Sequence, residues 1–121
     1  MAQIQFSRGT NEPVVPDIRL SKARNGQQSK ASFYFQNPAI LGNEVNEDVT
    51  GLYMIDEEGE IISREVKAKF VNGKPDALEA IYIMNTEAEW DRFMRFMNRY
   101  AALNGLGLSK ANNEPEVESW D

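Results

Sequence analysis

Residues 55–84, IDEEGEIISREVKAKFVNGKPDALEAIYIM, decide the fold, because two tight turns separate runs that are each patterned for a β-strand. The first run begins slightly upstream in TGLYMID. Leu52 and Met54 share one face there and Tyr53 and Ile55 the other, the apolar-on-both-sides pattern of a central, doubly covered strand. In DEEGE, Gly59 stands where a hairpin needs a left-handed residue. IISREVKAKFV then places Val66, Ala68 and Phe70 on one face and Glu65, Lys67 and Lys69 on the other, a half-wet strand. Asn72-Gly73 followed by Lys74-Pro75 makes a second turn, and ALEAIYIM is again apolar on both parities. Three successive strands in a meander are therefore the predicted core of the fold.

Upstream, QIQFSRG alternates Ile4 and Phe6 with Gln3, Gln5 and Ser7, a half-buried strand ended by Gly9. VVPDIRLSKAR reads as a second extended piece. Pro16 lacks a ladder donor and confines it to an edge, a bulge or a strand start. Asn25-Gly26 signals a turn. ASFYFQNP follows as a clear strand, with Ala31, Phe33 and Phe35 on one side and Ser32, Tyr34 and Gln36 on the other, stopped by Asn37-Pro38. PAILGNEVNED fits either a short helical turn or an irregular loop.

Downstream, TEAE is a capping box in which Thr86 accepts from the Glu89 amide while the Glu89 side chain reaches back. Trp90, Phe93, Met94, Met97 and Ala101 recur at helical spacing, a stripe suited to packing on the sheet, and Asn104, Gly105 and Gly107 supply the stop. The other face carries Arg92, Arg95 and Arg99 in one row, with Asp91 one turn before Arg95. A solvated face accounts for this row most simply. A dock for phosphate or for an acidic protein is the sharper reading, and the row is a second-rank candidate interface.

The 121 residues are 41% apolar and suit one core. With neither Cys nor His, thiol nucleophiles, disulfides, thiolate or imidazole metal ligands and the usual neutral-pH proton shuttle are all missing. No apolar run approaches a membrane span, and MAQIQFSRG lacks the hydrophobic segment of a secretory signal, so the chain is expected to stay where it is made. The net charge of −6 speaks against general nucleic-acid binding. Half of it lies in residues 109–121, where Lys110 opposes Glu114, Glu116, Glu118 and Asp121; this acidic stretch, holding Trp120, is expected to be a mobile tail. Asp56, Glu57, Glu58 and Glu60 cluster around Gly59, but three consecutive acids do not match the alternating ligands of a calcium loop, and a solvated hairpin tip is the expected state. No glycine spacing suits a phosphate loop, and no Ser or Lys has a recognisable activating partner. A small enzyme working with carboxylates alone is left only as a formal alternative, and no catalytic, cofactor-binding or metal-binding residue is assigned.

The blocks AQIQF, VVPDIRL, FYFQNP, GLYMIDEEGEI, REVKAKFVNGKP, LEAIYIM and EWDRFMRFMNRYAALNGLG, in this order, strongly resemble the Psb28 family of photosystem II assembly proteins of cyanobacteria and plastids, in its common rather than its divergent type. The resemblance runs from Ala2 to Ser109, and MIDEEGEI and EWDRFMRFM are its most distinctive blocks. It implies a non-catalytic factor without cofactor, peripheral to the cytoplasmic or stromal face of the thylakoid membrane with a soluble pool, and a monomer when free. The implied partners are core antenna and reaction-centre subunits of immature photosystem II, met near the acceptor side and held in a protected form.

The expected architecture is α+β: residues 1–108 form a single domain, a mainly antiparallel β-meander sheet packed against one C-terminal amphipathic α-helix. A sheet edge could accept a strand from a partner, steered by Arg64, Lys67 and Lys69, which are chosen by strand alternation alone. A general peptide-binding adaptor unrelated to photosystem II would use the same device.

Overall fold

The computed structural model describes residues 2–22, 28–42 and 48–105. Eight strands and one helix follow in order: β1 (Ala2–Ser7), β2 (Thr10–Asn11), β3 (Asp17–Ser21), β4 (Ser29–Gln36), β5 (Leu52–Asp56), β6 (Gly59–Ser63), β7 (Glu65–Val71), β8 (Lys74–Met84) and α1 (Glu87–Asn104), with a 3-10 turn at Ala39–Leu41. They build two four-stranded antiparallel sheets, ordered β2-β1-β5-β6 and β3-β4-β8-β7. The α+β class, mostly antiparallel sheet with one C-terminal helix, is as the sequence predicts. The turn expected at Asn25-Gly26 and the acidic tail 109–121 lie outside the described residues.

The meander is divided between the two sheets. IISREVKAKFV, expected as one strand, breaks at Arg64: Ser63 pairs with Leu52 in the first sheet and Glu65 with Ile81 in the second. Ser63 fills this corner, its hydroxyl donating to the Ile81 carbonyl and accepting from the Glu65 amide at 3.2 Å. A strand that switches sheets at a corner is how two packed sheets share one chain.

β5 and β8 are central, between β1 and β6 and between β4 and β7 respectively. β3 is an edge, beginning immediately after Pro16, where a missing donor does no harm. The sheets and helix enclose Ile4, Phe6, Phe33, Phe35, Met54, Leu78, Phe93 and Met97, all at most 2% exposed. Phe6 meets Phe35 edge-on at 4.7 Å between ring centroids, joining the sheets; Phe33 meets Phe93 at 6.2 Å, joining the second sheet to the helix. Such edge-to-face contacts suit the aromatic quadrupole.

The helix starts as its capping box dictates. Thr86 accepts from the Glu89 amide at 3.1 Å, while the Glu89 carboxylate reaches one residue further back than expected and accepts from Asn85 N–H at 2.6 Å. It stops at Gly105, in the left-handed region at φ 69°. Its buried face is wider than the expected stripe and includes Phe96 and Tyr100. β7 departs from expectation in the opposite sense. Val66 is half-buried, but Ala68 is exposed and Phe70 is 64% exposed, because this edge strand runs past the end of the core.

Candidate functional site

The six candidate residues fall in two places, and the helical three do not stand free. β5 ends at Asp56 and turns through Glu57 and Glu58 into β6, which brings this acidic turn against the arginine row of α1. Arg92 grips Asp56 with both prongs, Nη1 to Oδ2 at 2.9 Å and Nη2 to Oδ1 at 2.7 Å. Arg99 Nη1 lies 2.8 Å from Asp56 Oδ2 and 2.7 Å from Glu58 Oε2. Arg95 takes Glu58 as a second bidentate pair at 2.8 and 3.0 Å. Both solvated readings are thereby corrected: the acidic turn and the basic row are each other's partners, and Arg95 bonds Glu58 across the fold where Asp91 was its expected partner. Burial alone would push the Asp56 carboxyl up, but the Arg92 and Arg99 hydrogen bonds outweigh it and hold the group at about 2. Hydrogen bonds from Arg95 and Arg99 likewise hold Glu58 at about 2. Charge-assisted bidentate pairs of this kind fix geometry as well as energy.

Arg64, Lys67 and Lys69 lie on or beside β7. Arg64 sits at the corner between the sheets, donating to the Thr50 carbonyl at 2.9 Å and to the Tyr53 hydroxyl at 2.8 Å. Tyr53 is only 2% exposed, and its ring lies between two guanidinium groups, Arg8 at 4.5 Å and Arg64 at 5.6 Å from the centroid. Cation–π contact and the stems of long side chains thus cover the Tyr53 side of β5 in place of an apolar layer. Lys67 is level with Glu79 of β8, and Lys69 Nζ lies 3.6 Å from the Glu79 carboxylate.

Strand register assembles a surface that alternation within single strands does not reveal. Two rows cross the outer face of the second sheet: Arg19, Ser32, Ile81 and Glu65 form one, and Asp17, Tyr34, Glu79 and Lys67 the other. A groove of about 960 Å³ runs over them, with Arg64 at its rim. Ile81 and Ile83 on the outer parity of β8 are half-exposed, so the apolar-on-both-sides pattern here marks a strand whose second face has no covering layer. That pattern was the available signal for Ile81; Asp17, Arg19 and Tyr34 required the register. The groove combines the apolar surface of Ile81 and Tyr34, charges of both signs and, at β7, the open edge of a sheet. It is suited to an extended polypeptide: backbone groups pair with the edge, and side chains meet the mixed face.

A family model described as Psb28 protein matches residues 4–108. A photosystem II reaction center Psb28 protein from Crocosphaera subtropica is 63% identical over 111 residues, covering 92% of this chain and all of that protein. The protein of the same name from Synechocystis sp. is 62% identical over 92% of this chain and 99% of its own. A photosystem II assembly factor Psb28 protein from Thermosynechococcus vestitus is 60% identical, covering 93% of this chain and 97% of its own.

Proposed function

The chain belongs to the Psb28 family, and from that premise we propose that it is a non-catalytic photosystem II assembly or repair factor. It binds immature complexes transiently at the cytoplasmic (stromal) side, near the core antenna subunit and the acceptor side, and protects them during biogenesis. The supporting observation is a relative 60% identical along nearly its full length that carries the name of a photosystem II assembly factor. No helix among the described residues is long and apolar enough to cross a membrane, which fits a peripheral mode of association.

The proposed means of binding is strand addition at β7. This strand closes one end of the second sheet and is exposed along nearly its whole length. Main-chain hydrogen bonds to a segment of a photosystem subunit supply affinity, and Lys67 and Lys69 steer its approach. The arginine row contributes indirectly, by holding α1 on the first sheet, and Arg95 retains 51% of its side-chain exposure for contact at the rim.

The test is affinity isolation of the tagged protein from gently solubilised thylakoids, with mass spectrometry of what comes with it. Recovery of photosystem II subcomplexes lacking the oxygen-evolving subunits is expected. Recovery of no photosystem II subunit, from membranes in which those subcomplexes are demonstrably present, would overturn the proposal.

A further inference from the structure

Phe70 and Val71, at 64% and 53% exposure, are the one adjacent pair of exposed large apolar side chains among the described residues; Val15, Ile62 and Leu103 are scattered singly. They stand at the end of the β7–β8 hairpin. β4 pairs with β8 as far as Ala77, and the Asn37 amide donates to the Asp76 carbonyl at 3.0 Å. Beyond this point Phe70, Val71, the Asn72-Gly73 turn, Lys74 and Pro75 continue as a bare two-stranded ribbon. Two residues of strand project about 7 Å.

The charge there opposes that of the chain. Residues 66–75 hold Lys67, Lys69 and Lys74 and no acid, in a protein of net charge −6. Lys69 shares its charge with Glu79 at 3.6 Å, an exposed pairing that a dense array of anions displaces readily.

Successive residues of a strand point to opposite sides, so Phe70, level with Pro75, makes one face of the ribbon tip apolar, while Val71 shares the other face with Lys74. A surface that docks flat against a protein needs one apolar face; a tip with an apolar side chain on each side and a lysine level with one of them suits the boundary between lipid tails and headgroups, which surrounds it. Lys67 and Lys69 stand behind the tip and Lys74 lies level with Val71, and from there ammonium groups on long stems reach lipid headgroups. A projection of about 7 Å also matches the shallow burial of interfacial anchors, roughly 5–10 Å. We propose that the β7–β8 hairpin tip is a shallow membrane anchor that inserts Phe70 and Val71 into an anionic lipid surface while Lys67, Lys69 and Lys74 hold the headgroups.

The chain has no Cys, so a single Val71→Cys change accepts one polarity-sensitive fluorophore, and Leu103→Cys on α1 gives an exposed control. The probes are vesicles of phosphatidylglycerol and phosphatidylcholine in equal parts, and vesicles of phosphatidylcholine alone. The label at 71 is expected to shift to the blue with the anionic vesicles only, reversibly with salt, while the label at 103 stays unchanged. In flotation of unlabelled protein, Phe70→Ser is expected to lower partitioning at least tenfold. Lys67→Gln and Lys74→Gln each lower it about fivefold. Thermal melts of the variants in solution confirm that each remains folded. No shift at 71 with either vesicle, an equal shift at 103, or unchanged flotation of a folded Phe70→Ser protein would overturn the anchor. Loss of photosystem II capture by Phe70→Ser without any vesicle binding by the parent would assign the tip to a protein partner.

Discussion

Asp56 and Arg92 form a two-pronged ion pair at 2.7 and 2.9 Å, with the Asp56 side chain fully shielded from solvent. It ties the end of β5 to the middle of α1 and is the centre of the network shared with Glu58, Arg95 and Arg99.

Removing one member of a shielded pair leaves its partner's charge uncompensated, which typically destabilises by 3–5 kcal/mol. Arg99 keeps Glu58 as a second partner, which lowers the expectation for Asp56→Ala to ~3 kcal/mol. The check is a shift of the urea midpoint at unchanged slope.

Acid unfolding should follow the same network. Asp56 and Glu58 resist protonation in the folded chain until about pH 2, whereas an unfolded chain takes up these protons near pH 4. The network's stabilisation is therefore complete above about pH 5 and is lost as pH falls towards 2, with Asp56 contributing about 2 kcal/mol. Stability curves measured between these limits should be flatter for Asp56→Asn than for the parent protein.

Glu12, 7% exposed, holds the 3-10 turn against the start of the fold. Its carboxylate accepts from the amides of Ala39 at 2.7 Å, Ile40 at 3.1 Å and Val14 at 3.1 Å. Glu12→Ala strands three backbone donors and is expected to cost ~3 kcal/mol, and Glu12→Gln, which keeps one acceptor oxygen, about 1 kcal/mol. Urea denaturation of the two variants separates shape from charge here.

If β7 receives a partner strand, proline there discriminates by position. N–H groups along an edge strand alternate between the sheet and the open side, so proline at Lys67 or at Ala68 spares the fold at one position and breaks it at the other. The folded variant is expected to lose capture of photosystem II subcomplexes. Lys67→Glu with Lys69→Glu should instead slow association and weaken its salt dependence. Full capture by the folded proline variant would exclude this edge.

Features fixed within a few residues of sequence were legible. The Thr86 cap and the Gly105 stop need only local geometry, and the unbroken apolar pattern of β5 implies a central strand. What escaped depended on pairs distant in sequence. Asp56 and Arg92 are 36 residues apart, and each looks solvated on its own element. The corner at Arg64 escaped because an extended run carries no mark of which sheet each half joins; Glu65 and Ser63 differ only in partner. Lys67 and Lys69 were readable from alternation, while Tyr34 beside Glu79, and Ile81 between Ser32 and Glu65, appear only once the register is known.

The lysines of β7 also bear on crowding. An open strand is a template for a second copy of itself, and two β7 edges meeting antiparallel about Ala68 would set Lys67 of each copy opposite Lys69 of the other, on one face. Like charges directly opposed in a ladder are destabilising. The open edge therefore repels its twin, which guards the protein at high concentration against sheet-to-sheet aggregation.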